Sequence, residues 1–201
     1  TERSEFTATS LVIATGGLSK PKMGASGFGY GISRQFGLNV FDTRAGLVPF
    51  TFTGAVQEMA TRLSGVSTGA SVSAGGASFT EDILFTHRGL SGPAILQASS
   101  YWRPGEDIEI DLLPGSDASE ILLAARASQP RSKLRTVLRS HVTRALVIEL
   151  QYLFWAEYAE VPLGEIGNDS LSGISDNLQR WRLKPAATEG YRTAEVTLGG
   201  V

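Results

Sequence analysis

The stretch that decides the fold is residues 11–37, LVIATGGLSKPKMGASGFGYGISRQFG. It opens with the apolar run 11–14, which predicts a strand buried on both faces of a parallel sheet. The run ends at Thr15-Gly16-Gly17, where glycines allow a turn and let a ligand approach bare backbone N–H groups. A loop follows, then a predicted helix over residues 29–36, with Gly37 placed for a left-handed cap. A strand, a glycine turn and a helix start in this order favour a site for an anionic ligand.

This local pattern leaves an alternative open. The dinucleotide fingerprint G-x-G-x-x-G is absent, because Gly27-x-Gly29 is followed by Ile32 and Gly29-x-Gly31 by Arg34. The phosphate-loop pattern G-x-x-x-x-G-K-[ST] is absent as well. A connection whose glycines serve only turns therefore remains an equal interpretation of the local sequence.

Four blocks of sequence carry a resemblance to a known family. They are ATGGLSKPKMGASGFGYGISRQFG at 14–37, AGLVPF at 45–50, ILFTHRGLSGPAILQAS at 83–99 and AEVTLGGV at 194–201. In this order they resemble the HI0933-like family of bacterial FAD-dependent oxidoreductases, also labelled aminoacetone oxidase-like. The resemblance implies a Rossmann-like flavin domain with a long insertion. It also implies an internal fragment, because such proteins have a G-x-G-x-x-G unit ahead of residue 1 and more flavin-contacting sequence after residue 201.

The resemblance also implies a cofactor and its site. FAD would be bound by the intact parent, and not by this fragment alone. The residues that would approach the flavin are Thr15, Gly16, Gly17, Gly24, Ser26, Gly27, Gly199 and Gly200. The candidates for the lining of the substrate pocket are Thr86, His87 and Ser91. No residue stands out as a catalytic acid or base.

The expected fold is a mixture of α+β and α/β. A discontinuous partial flavin domain would comprise residues 1–49 and 190–201, and an inserted domain residues 50–189. Pro49, which cannot donate to a sheet, marks the first boundary. Within the insertion, alternating residues and the hairpin signal Gly75-Gly76 predict an antiparallel sheet layer over 50–115. A helical subdomain is expected over 116–180.

The string Gly89-Leu90-Ser91-Gly92-Pro93 admits two interpretations. Ser91 as a helix N-cap is favoured, since Pro93 then falls in the first turn, where its missing N–H costs nothing. The alternative is the hydrolase elbow G-x-S-x-G with His87 upstream. The hydrolase elbow is the less favoured interpretation, because Pro93 replaces the second glycine and no acidic residue is paired with His87.

The longest predicted helix starts near Arg131 and places His141 on its apolar face, as a packed core residue. The region carries many basic residues and no acidic one between Ile121 and Ile148: Arg126, Arg131, Lys133, Arg135, Arg139 and Arg144. Nucleic-acid binding through Arg131, Arg135 and Arg139 is one hypothesis. A solvated or interdomain face is favoured, because interleaved aromatics are absent and the chain has a net charge of -2.

The amino-acid composition narrows the remaining classes of function. The 201 residues include no cysteine, which excludes disulfides and thiolate chemistry, and two histidines, which disfavour a metal site. The most apolar stretch, 145–161, carries charged residues and does not read as a membrane span. The expected partners are a small-molecule substrate and either NAD(P)H or O2, with nucleic acid and membrane disfavoured and an oligomer left open. Cytoplasmic location is the default.

The function expected from these observations is that of a fragment of an FAD-dependent oxidoreductase of unknown substrate. It would cover the substrate-side insertion and part of the flavin site. The alternative is a non-catalytic cap or interaction module with no activity in isolation. A nucleic-acid-binding module built on the basic helix is less favoured.

Overall fold

The computed structural model describes residues 5–201, so residues 1–4 of the expected flavin-domain segment lie outside the described part. The helices are α1 Phe28–Gln35, α2 Gly54–Arg62, α3 Pro93–Ser99, α4 Ala118–Ser128, α5 Leu134–Leu138, α6 Arg144–Phe154 and α7 Asn168–Gln179. The strands are β1 Phe41–Gly46, β2 Phe50–Thr51, β3 Ser67–Ala74, β4 Ala77–Thr86, β5 Gly89–Ser91, β6 Ile108–Asp111, β7 Trp181–Leu183, β8 Ala187–Thr188 and β9 Val196–Gly200. Short 3₁₀ helices lie at Pro21–Met23, Ala156–Tyr158, Leu163–Glu165 and Gly190–Arg192.

The larger sheet has the order β7-β6-β3-β4-β5-β2-β8, and all its neighbouring strands are antiparallel. Its two outermost strands, β7 and β8, are joined by residues 184–186. A link of that length spans at most about 14 Å. The sheet must therefore curl until its two edges approach each other, and it forms a barrel-like layer.

Every second side chain of the strands points into the barrel-like layer and fills its interior. In β3, Ala70, Val72 and Ala74 are buried, while the serines between them are half-buried on the outer face. Ile108 and Ile110 of β6 follow the same pattern. The predicted antiparallel sheet and its Gly75-Gly76 hairpin are confirmed, since Ala74 pairs with Ala77. The chain is thus a mixed α+β structure with antiparallel sheets.

A second, two-stranded sheet pairs β1 with β9. The chain crosses from it to the barrel at Leu47, whose φ of 46° is unusual for a residue with a side chain. The Leu47 N–H donates to Ser100 Oγ (3.2 Å) and the Val48 N–H to Ser99 Oγ (2.9 Å). The C-terminal end of α3 therefore holds this crossing in place.

Two local predictions need correction. Residues 11–14 are not a strand, and Leu11 and Val12 are 71% and 83% exposed. No strand pairs with them among residues 5–201, and a strand needs a partner for its N–H and C=O groups. The helix predicted over 29–36 is confirmed as α1 within one residue, and Gly37 takes the left-handed conformation (φ 72°).

The single long helix predicted from Arg131 is wrong. The segment forms α5 and α6 with an exposed turn between them, and Thr143 takes an extended conformation (φ −56°, ψ 139°) before α6. The Ser140 hydroxyl donates to the Val137 carbonyl (2.6 Å), which competes with continuation of α5. His141 lies exposed in this turn, so its predicted place on an apolar face is also wrong.

Ser91 is not a helix N-cap. It is the last residue of β5, and Gly92 (φ 93°) caps α3 instead. A methyl group on Gly92 would lie 2.7 Å from the Asp82 carbonyl oxygen and 2.8 Å from the Leu84 nitrogen. The backbone at Gly92 thus packs directly against β4, where there is no space for a side chain.

Within residues 5–201, no helix combines the length and the apolar character that a bilayer crossing requires.

We expect Gly92→Ala to lower the free energy of unfolding by about 1–3 kcal/mol more than Gly105→Ala does. Both glycines have a φ of 93°, so both substitutions force a side chain into a positive-φ conformation, but a methyl group on Gly105 meets only open space. Urea unfolding of the two variants, with the m-value checked, measures the difference. Equal losses would show that the close approach to β4 contributes nothing.

Candidate functional site

The glycine turn after residue 15 is tied to the last strand by one hydroxyl group. Thr197 Oγ1 accepts the N–H of Leu18 (2.8 Å) and of Ser19 (3.1 Å), and it also lies 3.0 Å from Ser19 Oγ. Two backbone donors of an irregular turn are thereby satisfied by a residue almost the whole chain away. The turn is positioned by β9, even though residues 11–14 form no strand.

Tyr30 of α1 brings the two glycine pairs to one place. A methyl group on Gly17 would lie 2.6 Å from Thr197 Oγ1 and 2.9 Å from Tyr30 Oη. A methyl group on Gly200 would lie 3.2 Å from the Tyr30 ring. The structure thus places Gly17 and Gly200 both against Tyr30, a residue that was not predicted, and the implied approach of the glycine pairs to a flavin stays a prediction.

An open cleft adjoins this turn. It has a volume of about 350 Å³, and its lining includes Thr15, Gly16, Gly29 and Tyr30, with Leu11 and Ile13 on its apolar side. Gly16 has a φ of 70°, and nothing lies within 4 Å of where its side chain would be. A volume of this size is within the range of small-molecule sites. Bare backbone beside an apolar wall fits the edge of a flat cofactor such as a flavin.

Of the predicted cofactor residues, Thr15 and Gly16 line this cleft, and the others do not: Gly17, Gly24, Ser26, Gly27, Gly199 and Gly200. The Gly24 N–H donates to the Pro21 carbonyl (3.0 Å) and ends the first 3₁₀ helix. Ser26 Oγ accepts the Phe28 N–H at the long distance of 3.5 Å, and Gly27 precedes α1. In the described part of the chain these three residues shape the loop that leads into α1, and none of them is part of the cleft wall.

Two of the three predicted substrate-pocket residues, Thr86 and His87, lie at a hairpin turn, and the pocket role of all three stays a prediction. Thr86 and Gly89 pair across the two-residue turn His87-Arg88, and Thr86 Oγ1 accepts the N–H of Gly89 (3.2 Å). His87 is exposed at the tip, and Ser91 is half-buried at the end of β5. The cleft beside Gly16 is lined by other residues. Ser91 ends β5 one residue before α3 begins, but no hydrogen bond links its hydroxyl to His87 within residues 5–201, so the structure gives the hydrolase elbow no support.

The basic region is divided into paired and unpaired side chains. Arg135 and Lys133 both form ion pairs with Glu160, and Arg135 Nη1 lies 2.5 Å from Glu160 Oε1. Hydrogen bonds from Arg135, and then from Lys133, lower the pKa of the Glu160 carboxyl to about 2. Of the three arginines in the nucleic-acid hypothesis, Arg135 is therefore already matched by an anion, as is the neighbouring Lys133.

The residues that sequence reasoning missed are Thr197, Tyr30 and Glu160. Thr197 stands two residues before Gly199-Gly200 in the block TLGG, which is a usable signal. Tyr30 lies between two glycines in GYG, where a large side chain is unexpected. Nothing in the sequence near Glu160 indicates its pairing with Lys133 and Arg135, since that contact depends on how the helices pack.

Comparison with known proteins places this chain beside RNA-modifying enzymes. The family model "HI0933-like protein barrel and H2TH domain" matches residues 44–196. A ribosomal RNA dihydrouridine synthase from Escherichia coli is 50% identical over 192 residues, which cover 95% of this chain and 48% of that protein. A protein of the same name from Haemophilus influenzae is 45% identical over 202 residues, covering 98% and 49%. The chain thus spans about half the length of the curated relatives it matches.

These relatives correct the expected function. The family itself is confirmed. The interpretation as a fragment of an FAD-dependent oxidoreductase is contradicted, because the relatives bear the name of a synthase that acts on ribosomal RNA. The expectation that nucleic acid is an improbable partner is contradicted on the same ground. The nucleic-acid hypothesis, which was less favoured than the flavin-fragment and cap interpretations, is the one that the relatives favour.

We expect Thr197→Val to raise the hydrogen-exchange rates of the Leu18 and Ser19 amides about tenfold, because both lose their acceptor while the side-chain shape is kept. Amide exchange followed by NMR measures this. Thr51→Val, which removes a hydroxyl bonded to the Ala187 carbonyl, serves as the control and should leave both amides unchanged. Unchanged exchange in Thr197→Val would mean that the turn does not depend on this hydroxyl.

We expect Glu160→Gln to be less stable than the wild type above about pH 4.5, with the difference disappearing as the pH falls to about 2. The folded state holds the pKa of this carboxyl below its ordinary value, so its stabilisation is present above the unfolded pKa and is lost as the folded pKa is passed. Urea midpoints across this range measure the effect. Glu157→Gln, an exposed carboxylate nearby, is the control. A constant difference at all pH values would contradict the ion-pair explanation.

Proposed function

Because the chain belongs to the HI0933-like family, we propose that it is part of a ribosomal RNA dihydrouridine synthase. The observation that carries the proposal is the identity of 50% and 45% to two proteins of that name over nearly the whole of this chain. The activity, the substrate and the partners of the intact protein are proposals, since the matched part is about half of each relative.

The reaction named for the relatives sets a chemical requirement. Conversion of a uridine to dihydrouridine saturates the bond between C5 and C6 of the base, by addition of a hydride and a proton. Side chains of the common amino acids do not donate hydride, so a redox cofactor is needed. We propose that the intact protein uses a flavin, which would supply this hydride once reduced by NAD(P)H, and more specifically that the flavin is FAD.

The residues of this chain that would hold the flavin are at the glycine turn. Gly16 leaves open space over the backbone, whereas Gly17 and Gly200 allow Thr197 and Tyr30 to pack closely against the chain. The Thr197 hydroxyl keeps the turn in register with β9. The role of Gly16 is to present bare backbone to the cofactor, and the role of the other residues is to hold the turn that carries Gly16.

The proposal also assigns the residues of the chain to two structural parts. Residues 1–49 and 190–201 would belong to the flavin-binding part, with a partial Rossmann-like fold, and residues 50–189 would form the inserted barrel and helices. The two places where the chain passes between these parts support this division. The Glu189 N–H donates to the Pro49 carbonyl (3.0 Å), and the Glu195 N–H donates to the Leu47 carbonyl (3.1 Å). The connections therefore run side by side.

The proposal predicts restored RNA modification in living cells. The full-length gene, expressed in an Escherichia coli strain that lacks its own relative, should restore dihydrouridine to ribosomal RNA. Mass spectrometry of nucleosides from purified ribosomal RNA measures the product. Absence of dihydrouridine, with the protein folded and abundant, would overturn the proposed function.

A matched pair of variants tests the glycine turn in the same assay. We expect Gly16→Ala to lower the dihydrouridine yield about tenfold or more, because a methyl group would displace the cofactor. Gly115→Ala is the control, since Gly115 also has a positive φ (77°) and open space but lies in the loop before α4. Equal yields from the two variants would remove the turn from the site.

A further inference from the structure

Charge is unevenly distributed along this chain. The whole sequence has a net charge of -2, yet residues 121–148 contain six basic side chains and no acidic one. This segment comprises most of α4, all of α5 and the first part of α6. The chain therefore carries a cationic region although its net charge is negative. The net charge alone does not reveal this region.

Three of the six basic side chains are engaged within the fold. Lys133 and Arg135 are paired with Glu160. Arg126 donates to the Ile166 carbonyl (3.1 Å) and to Asn168 Oδ1 (2.7 Å). In contrast, Arg131, Arg139 and Arg144 are exposed, and within residues 5–201 their side chains make no hydrogen bond or ion pair. These three positive charges are available to a partner.

Arg139 and Arg144 flank the exposed turn between α5 and α6, five residues apart and so at most about 18 Å from each other. Arg144 begins α6, and Ile148 and Tyr152 follow it at steps of four residues, which places the three side chains on one face of the helix. Ile148 is 39% exposed and Tyr152 is 69% exposed. Eight residues of helix separate Arg144 from Tyr152 by about 12 Å.

This combination differs from an ordinary solvated helix. Basic side chains that face water are common, but a neighbouring exposed tyrosine and isoleucine on the same face are not explained by solvation. Recognition of folded RNA uses arginines on phosphates together with aromatic rings that stack on unpaired bases. The sequence alone did not reveal this combination, because the predicted single helix from Arg131 would place the same side chains on different faces.

We propose that Arg139, Arg144, Ile148 and Tyr152, here called the α5–α6 face, form an RNA-binding surface. The partner is ribosomal RNA, the two arginines contact phosphates, and Tyr152 stacks on an unpaired base. This rests on the proposed function for the choice of RNA over an acidic protein. The α5–α6 face shares no residue with the glycine turn or with the cleft beside it, so it binds the RNA around the modified base and not the base itself.

Glu160 sets how much charge this surface presents. Arg135 and Arg139 are four residues apart and lie on the same side of α5. Because Glu160 pairs with Arg135 and Lys133, only part of the local positive charge reaches a partner. Removal of the Glu160 charge should therefore strengthen RNA binding, an effect opposite in sign to that of the arginine variants.

The test measures binding of the full-length protein to deproteinised ribosomal RNA from the Escherichia coli strain that lacks the relative. Filter binding at several salt concentrations gives the dissociation constant and its salt slope. We expect the double variant Arg139→Ala/Arg144→Ala to bind about tenfold more weakly and to reduce the salt slope by about 2, since two phosphate contacts are lost. Arg103→Ala/Arg180→Ala removes two exposed arginines outside residues 121–148 and should change neither quantity.

Two more variants separate charge from stacking. Tyr152→Ala should weaken binding about tenfold without a change in salt slope, and Tyr152→Phe should restore it. Glu160→Gln should tighten binding and increase the salt slope. Loss of affinity through misfolding would not produce these opposite signs, and circular dichroism of each variant checks the fold.

The outcomes distinguish this inference from the proposed function. Dihydrouridine formed in cells, with unchanged RNA affinity and salt slope in the arginine and Tyr152 variants, would overturn the α5–α6 face and leave the function intact. Binding only to assembled ribosomal particles, and not to deproteinised RNA, would also overturn it, because the partner would then be protein. RNA binding that depends on this face without any dihydrouridine product would uphold the inference and reject the function.

Discussion

The short link between β7 and β8 is the constraint on which the architecture depends. It joins the two outermost strands of a seven-stranded sheet, and the Ala186 N–H within it donates to the Thr51 carbonyl (2.9 Å). The sheet is thereby rolled, and the end of the barrel is brought back beside its beginning. Only then can the two passages of the chain lie together and β1 pair with β9. The position of Thr197 at the glycine turn depends in turn on this pairing, because Thr197 lies in β9.

Local sequence patterns predicted those parts of the fold that local interactions determine. The Gly75-Gly76 hairpin, the alternation of β6 and the left-handed Gly37 all follow from residues within a few positions of each other. The failures have a different origin. Residues 11–14 have a strand composition but no partner among residues 5–201, and a strand exists only in a ladder. The break between α5 and α6 arises where the Ser140 hydroxyl competes for a helical carbonyl, although the apolar spacing continues across it.

The candidate site was predicted in part. The meeting of Gly16-Gly17 with Gly199-Gly200 could be anticipated through resemblance, whereas Tyr30 and Thr197, which organise that meeting, could not be chosen from the sequence without the pairing of β1 and β9. The nucleic-acid hypothesis ranked low because it was judged by the net charge of the chain. Electrostatic attraction depends on local charge within about a Debye length, so an average over 201 residues is the wrong quantity. Likewise, a family resemblance identified the scaffold but did not identify the substrate.

The parallel course of the two connecting segments, Leu47 beside Glu195 and Pro49 beside Glu189, has a consequence for how such proteins change over time. A unit whose two ends are a hydrogen bond apart can be exchanged, enlarged or removed without stretching the part that carries it. The barrel and its helices are therefore modular in a mechanical sense. Selection can therefore remodel the barrel and its helices while the glycine turn and its Thr197 anchor keep their geometry.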